Sequence, residues 1–185
     1  MLEKMAPDVA IQGTACVRGA VLAAIRPRVH WEIICRDKHG RFKWRETIEN
    51  LVTNAGEDEV LAATLKDAAQ AAWYVGLTDG TPTVAEGDTA GSHAGWVEVQ
   101  TYSEGVRQTL TLGAVSGQSV DNSASKASYS INGTVTVGGA FLISNSTKGG
   151  STGILYSAGA FSGGDKSLAD GDTLEVTATF TAGGA

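Results

Sequence analysis

The most regular feature of the chain is an alternation of apolar and polar positions that begins at Val29. Val29, Trp31, Ile33 and Cys35 hold every second place, and after Asp37-Lys38-His39-Gly40 the alternation resumes with Phe42, Trp44 and Ile48. A period of two belongs to a strand with one buried face, and two such runs around a short polar segment predict a β-hairpin. A four-residue loop closing Arg36 against Arg41 pairs Cys35 with Phe42, Ile33 with Trp44 and Val29 with Ile48, which makes one face apolar. A three-residue loop with Gly40 in a bulge suits the local turn chemistry, but it opposes Cys35 to Lys43 and Ile33 to Arg45. The hydrophobic pattern favours the first register. Arg36, Arg41, Lys43 and Arg45 then share the outer face, with Glu32 opposite Arg45.

After the hairpin the period changes. Asn54 followed three residues later by Glu57 reads as a capping arrangement, and Glu57, Asp58 and Glu59 fall where a helix dipole favours negative charge. Val60, Leu61 and Leu65 recur at helical spacing and predict one short α-helix near residues 56–69. Beyond Gln70, short strand-like runs occupy 72–77, 95–102, 108–112, 127–131, 134–143, 153–157 and 173–181, separated by Gly, Ser, Asn and Asp. That spacing predicts a mainly β protein, an antiparallel β-sandwich of jelly-roll-like character. Asn132-Gly133, flanked by Tyr129 and Ile131 before and Val135 and Val137 after, reads as a tight hairpin turn. Gly138-Gly139 inside a strand marks a bulge or a close backbone approach. Ala85-Glu86-Gly87-Asp88-Thr89 is echoed by Ala169-Asp170-Gly171-Asp172-Thr173, which reads as one turn used twice. Residues 1–28 show no sustained period and are expected to form an N-terminal arm. Residues 29–185 form a single sandwich domain carrying the basic hairpin 29–49.

Composition supports this division. The chain has 185 residues, with 24 glycines, 3 prolines and 18% charged residues, against roughly 25% charged in an average domain. A hydrophobic content of 42% excludes a disordered chain. No apolar run is long enough to span a bilayer. The longest, Ala20-Val21-Leu22-Ala23-Ala24-Ile25, is also too short for a signal-peptide core, so export by the general secretory route is not expected. Net charge is −6, but residues 1–45 hold nine Lys/Arg against four Asp/Glu, and the rest hold five against sixteen. A basic portion on an acidic body fits contact with nucleic acid, docking on an acidic protein surface, or docking on a neighbouring copy.

Catalytic chemistry finds little support. Gly149-Gly150-Ser151-Thr152-Gly153 has the letters of a nucleophile elbow, but that arrangement needs a histidine after the serine and the last one is His93. The segment reads as a loop. His30, His39 and His93 lack partners at metal-ligand spacing, and Cys16 and Cys35 form neither a zinc set nor a disulfide framework. Asp165, Asp170 and Asp172 do not follow a calcium-loop pattern and read as turn formers. The chosen hairpin register points Trp31, Phe42 and Trp44 away from the arginines, so stacking and phosphate contact would not share a surface. Nucleic acid is therefore not an expected partner. The expectation is a protein that is not an enzyme and uses no cofactor or metal.

Several motifs together resemble a known group. Trp44, Asn50-Leu51-Val52-Thr53-Asn54-Ala55-Gly56, Trp73-Tyr74-Val75-Gly76-Leu77, Asp88-Thr89, Gly95-Trp96-Val97-Glu98, Tyr102-Ser103-Glu104, Arg107, Asn122-Ser123-Ala124-Ser125-Lys126-Ala127, Gly138-Gly139-Ala140-Phe141-Leu142 and Gly171-Asp172-Thr173-Leu174 resemble small tailed-bacteriophage virion proteins, over about residues 30–181. The resemblance implies a structural subunit, a head or tail fibre or a capsid decoration protein, with no catalytic residues to carry over. It implies a place in the virion after assembly in the bacterial host cytoplasm. Its partners would be capsid, portal-proximal or tail subunits and further copies of itself, trimers among them, with no membrane. On this reading the arm and hairpin, through Arg26, Arg28, Arg36, Arg41, Lys43 and Arg45, meet an acidic surface, where such charges steer and orient more than they add affinity. The alternative is a receptor- or carbohydrate-binding tip, with Trp73, Tyr74, Trp96 and Tyr102 as stacking platforms.

Overall fold

The computed structural model describes residues 28–65 and 71–182, so Arg26, the arm before Arg28 and the last turn expected of the helix lie outside the described residues. The chain runs β1 (Arg28–Arg36), β2 (Phe42–Glu49), β3 (Leu51–Val52), α1 (Asn54–Leu65), β4 (Tyr74–Thr78), β5 (Gln108–Thr109), β6 (Ser119–Asp121), β7 (Ala127–Ser130), β8 (Val135–Val137), β9 (Gly139–Ile143), β10 (Leu155–Ala160), β11 (Lys166–Leu168) and β12 (Thr173–Thr181). One sheet has the order β2-β1-β12-β6, with β7 also on β12; the second has the order β3-β10-β9-β4-β5; β8 and β11 form a ribbon. Every pairing is antiparallel. The protein is mainly β with one short helix among the described residues, and that helix is too short to cross a membrane.

The core lies between the two sheets. Trp31, Ile33 and Cys35 of β1 and Leu174, Val176 and Ala178 of β12 share it with Val75, Leu77, Ala140 and Leu142 of β4 and β9. Each fully buried leucine or isoleucine there contributes about 1.5–3 kcal/mol. The second sheet is covered on its far side too, where Phe141, Ile143, Leu155 and Ala158 meet Ala90 and Trp96. All five residues of β9 are accordingly buried, and its sequence shows no alternation. The covering layer comes from the segment between β4 and β5, most of which runs without regular strands.

At the first hairpin the expected register is corrected. Asp37 accepts hydrogen bonds from the amides of His39 and Arg41, and its own amide donates to Arg41 O, which closes a three-residue loop with Gly40 at φ 76°. Arg36 therefore faces Phe42, yet Cys35 faces Trp44 and Trp31 faces Ile48, because the register shifts at Lys43. Turn chemistry decides the tip and the hydrophobic pattern decides the body; a β-bulge of one residue reconciles them. Phe42 consequently falls on the solvent side, 61% exposed. Ile33 faces Glu46 and Glu32 faces Thr47, while Arg45 still reaches Glu32 diagonally at 3.1 Å.

The helix begins two residues earlier than expected, because its cap is Thr53. The Thr53 hydroxyl accepts from Gly56 N at 3.2 Å and itself donates to Leu155 O. A side chain at Gly56 would strike Tyr156 O at 2.3 Å, so the helix can rest on β10 only through a glycine. Asn132-Gly133 does not close a hairpin. Strand β7 pairs with β12 and β8 with β11, since the Ile131 amide donates to Asp172 O and draws the chain across to the ribbon. The 95–102 run forms only isolated bridges, Thr78 with Glu98 and Tyr102 with Ile131. Close backbone approach explains Gly138-Gly139: a Cβ at Gly138 would lie 2.0 Å from Gly80 C, and one at Gly139 2.3 Å from Gly159 O. The echoed sequences do form one turn used twice. Asp88 accepts from Ala85 N at 3.0 Å and Asp172 from Ala169 N at 2.8 Å, each with the return bond from its own amide.

Candidate functional site

The segment covering the second sheet builds a cleft of about 190 Å³. Asp79 N donates to Val97 O and Val99 N to Leu77 O, which extends the edge of β4 by a few residues. Alternation then sends Val99 into the main core, while Trp96, Glu98 and Gln100 line the cleft. Phe141, Ile143 and Leu155 are among its apolar walls, and Gly149, Gly150 and Ser151 of the β9–β10 loop close another side.

A buried ion pair fixes that loop. The Arg107 side chain is 2% exposed and that of Glu98 7%, and they meet in a bidentate pair, Nε to Oε1 at 2.8 Å and Nη2 to Oε2 at 2.7 Å. Arg107 also donates to the carbonyls of Asn145 and Gly150, both at 2.8 Å, and its guanidinium lies 5.3 Å from the centre of the Phe141 ring. Glu98 accepts in addition from Gly149 N at 2.7 Å. A desolvated pair is tolerable when its remaining hydrogen-bonding positions are largely filled, and here the guanidinium makes four hydrogen bonds and both carboxylate oxygens accept. Beside it Lys148 donates to the carbonyls of Gln100 and Tyr102, with its ammonium 3.9 Å from the centre of the Tyr102 ring. Sequence reading passed over the pair. The available signal was that Arg107 is the sole arginine after Arg45.

The four aromatic residues expected as stacking platforms do not form one surface. Tyr102 is 1% exposed, edge-to-face with Tyr129, and burial drives its phenol pKa upward. Trp73 is half-buried against Tyr156 on the main-core side, and Tyr74 packs with the far-side cluster. Trp96 is 8% exposed and lies under the His93 imidazole, with ring centres 3.7 Å apart and planes 14° from parallel. His93 thus shares the cleft with Trp96. Among the described residues, His93 Nδ1 and Trp96 Nε1 have no hydrogen-bond partner.

Arg36, Arg41, Lys43 and Arg45 of the hairpin are engaged within the chain. Arg36 Nε is 3.6 Å from Glu175, Arg41 Nη2 is 2.7 Å from Asp37, Arg45 pairs with Glu32, and Lys43 pairs with the buried Asp172. The hydrogen bond to Asp172 raises the Lys43 pKa, and the Arg41 hydrogen bond holds Asp37 down at about 2. Arg28 stands exposed where the described chain begins. Glu46, brought to the core side by the bulge, accepts from Lys166, Gly163 N and Ser162. Burial works to raise its pKa, but those bonds outweigh burial and leave it lowered. Cys35 is fully buried and burial pushes its thiol up to about 12, the behaviour of a small core residue. Of the three clustered aspartates, Asp165 accepts from the Thr81 hydroxyl and Asp172 serves its turn and Lys43. No protein-family model matches the chain, and no curated protein matches it.

Proposed function

We propose that the protein is a structural subunit of a tailed-bacteriophage virion, a head or tail fibre or a capsid decoration protein, with no catalytic role. The observation that carries this reading is where several of the resembling motif residues fall: Thr53, Gly56, Asp88, Glu98, Glu104, Arg107, Asn122 and Asp172 hold the sandwich together. Thr53 caps the helix and Gly56 seats it. Asn122, 1% exposed, donates to Val176 O and accepts from Ala178 N in place of a strand. Glu104 accepts from Ser130 N, Arg107 anchors Glu98, and Asp88 and Asp172 close their turns. A group sharing such residues shares a scaffold, and selection on a scaffold suits a protein that works by assembly. The arm and the basic hairpin remain the docking element in this proposal, with capsid, portal-proximal or tail subunits and further copies of the chain as partners. Because Arg36, Arg41 and Arg45 sit in partly exposed pairs, an acidic partner would exchange with carboxylates already present, so these charges set orientation more than affinity.

The test is incorporation. Particles purified from infected cells are probed with antibody to the chain, in wild type and with Arg41→Ala/Arg45→Ala, a pair chosen because Lys43→Ala would strand the buried Asp172. Wild-type chain on particles and a reduced copy number for the variant are expected. Particles lacking the chain would remove the virion assignment, and undiminished incorporation of the variant would remove the hairpin from the docking surface.

A further inference from the structure

We infer that the cleft beside Trp96 is a binding site for one uncharged pyranose ring, which stacks on the indole in the place His93 occupies in this structure. Its volume of about 190 Å³ lies below the ~300–1,000 Å³ of sites for larger ligands, so it takes one ring and not an extended oligomer. Its charge decides the ligand class. Glu98 and Arg107 are the charged residues lining it; they neutralise each other, and both carboxylate oxygens and all three guanidinium nitrogens are already bonded. An anionic or cationic ligand would find no counter-charge and would pay desolvation in full. What is left for recognition is a set of hydrogen-bonding groups: the Trp96 N–H and His93 Nδ1, without partners among the described residues, and the Gln100 and Ser151 side chains on the rim. An aromatic face with hydrogen-bonding groups around it matches a sugar, which has an apolar face and hydroxyls at its edge.

His93 is placed to give way. It follows a turn in which Thr89 and Ser92 exchange backbone hydrogen bonds, and Gly95 at φ 97° follows it, a conformation that favours glycine. Moving the imidazole aside uncovers the indole face against which a sugar ring can stack. This site stands independently of the assembly role, since neither Trp96 nor His93 belongs to the hairpin.

The experiment follows the Trp96 indole N–H by NMR, assigned with Trp96→Phe, in the full chain. The probes are methyl glucoside, methyl galactoside and N-acetylglucosamine, each also as a disaccharide, with glucosamine and sialic acid as charged comparisons, up to concentrations on the order of 10 mM. A saturable shift of the Trp96 signal with a neutral sugar supports the site, and tighter binding of the disaccharide assigns the ring to a chain end. His93→Ala, checked for an unchanged melting temperature, should bind about two- to tenfold more tightly, the worth of the displaced ring contact. No shift with any neutral sugar in either protein, preference for a charged sugar, or weaker binding by His93→Ala would each overturn the proposal.

Discussion

Replacing Arg107 by methionine removes the guanidinium that Glu98 faces while keeping an unbranched side chain in its place. The Glu98 side chain, 7% exposed, would keep only the Gly149 amide, and the Asn145 and Gly150 carbonyls would lose their donors. Breaking a buried pair from one side costs about 3–5 kcal/mol, because the remaining charge stays desolvated. For a chain of this length each kcal/mol lowers the melting temperature by about 2–4 °C, so a fall of roughly 6–20 °C is expected. Urea denaturation should show the midpoint falling at constant slope, and the Gly149 amide should exchange faster than in wild type. The double variant Arg107→Met/Glu98→Leu removes both charges and should be more stable than Arg107→Met alone, since apolar replacement of a whole buried pair is often neutral. A loss below about 1 kcal/mol in the single variant would mean the pair is screened like a surface one. A double variant as unstable as the sum of its two singles would refute the coupling between them.

The hairpin makes opposite claims for two aromatic residues: Trp31→Ala should cost about 3–5 kcal/mol and Phe42→Ala no more than about 0.5, and equal losses in urea denaturation would refute the three-residue tip that turns Phe42 to solvent. Gly138→Ala should cost more than the ~1–3 kcal/mol of ordinary overpacking, because the new Cβ meets the Gly80 backbone; a variant with wild-type stability would contradict that approach. Asp37 and Glu46 have lowered pKa values in the fold, so the stability they supply is present above their ordinary values, 3.8 and 4.5, and is lost as pH falls toward the Asp37 value of about 2. Lys43 has a raised pKa, so its share persists up to 10.5 and is lost above. Melting temperature should therefore decline at both ends, Glu46→Gln should flatten the acid limb, and a rise on acidification would reverse the argument. In a Cys16→Ser chain, a disulfide reagent at pH 8 should label Cys35 only as fast as the protein opens; labelling at the rate of a free thiol would show the site accessible.

What could be seen in the sequence depended on whether the signal was local. Strand β12 was legible to its ends because Leu174, Val176 and Ala178 face one core and the intervening polar residues face water. Strand β9 kept its place but not its boundary, since burial on both faces erases alternation and Gly138 breaks the run where the Gly80 backbone crosses. Strands β3 and β6 are two or three residues long and exist because the longer β10 and β12 offer them pairing, and β11 pairs with the equally short β8, which no local pattern records. The candidate site was hidden for the same reason. Trp96 and Glu98 lie in one run, but Arg107 joins them through a loop and Ser151 from across the second sheet. The choice of Trp96 as a stacking residue rested on its type, and the partner that covers it, three residues away, became visible only when the chain turned at Gly95. At the hairpin, turn chemistry and hydrophobic parity gave conflicting registers, and each governed part of the structure. A single bulged residue lets both hold, at the expense of Phe42, and it also carries Lys43 to Asp172. When two sound local rules disagree about a hairpin, an extra residue between tip and body is thus a third answer to weigh beside the two registers.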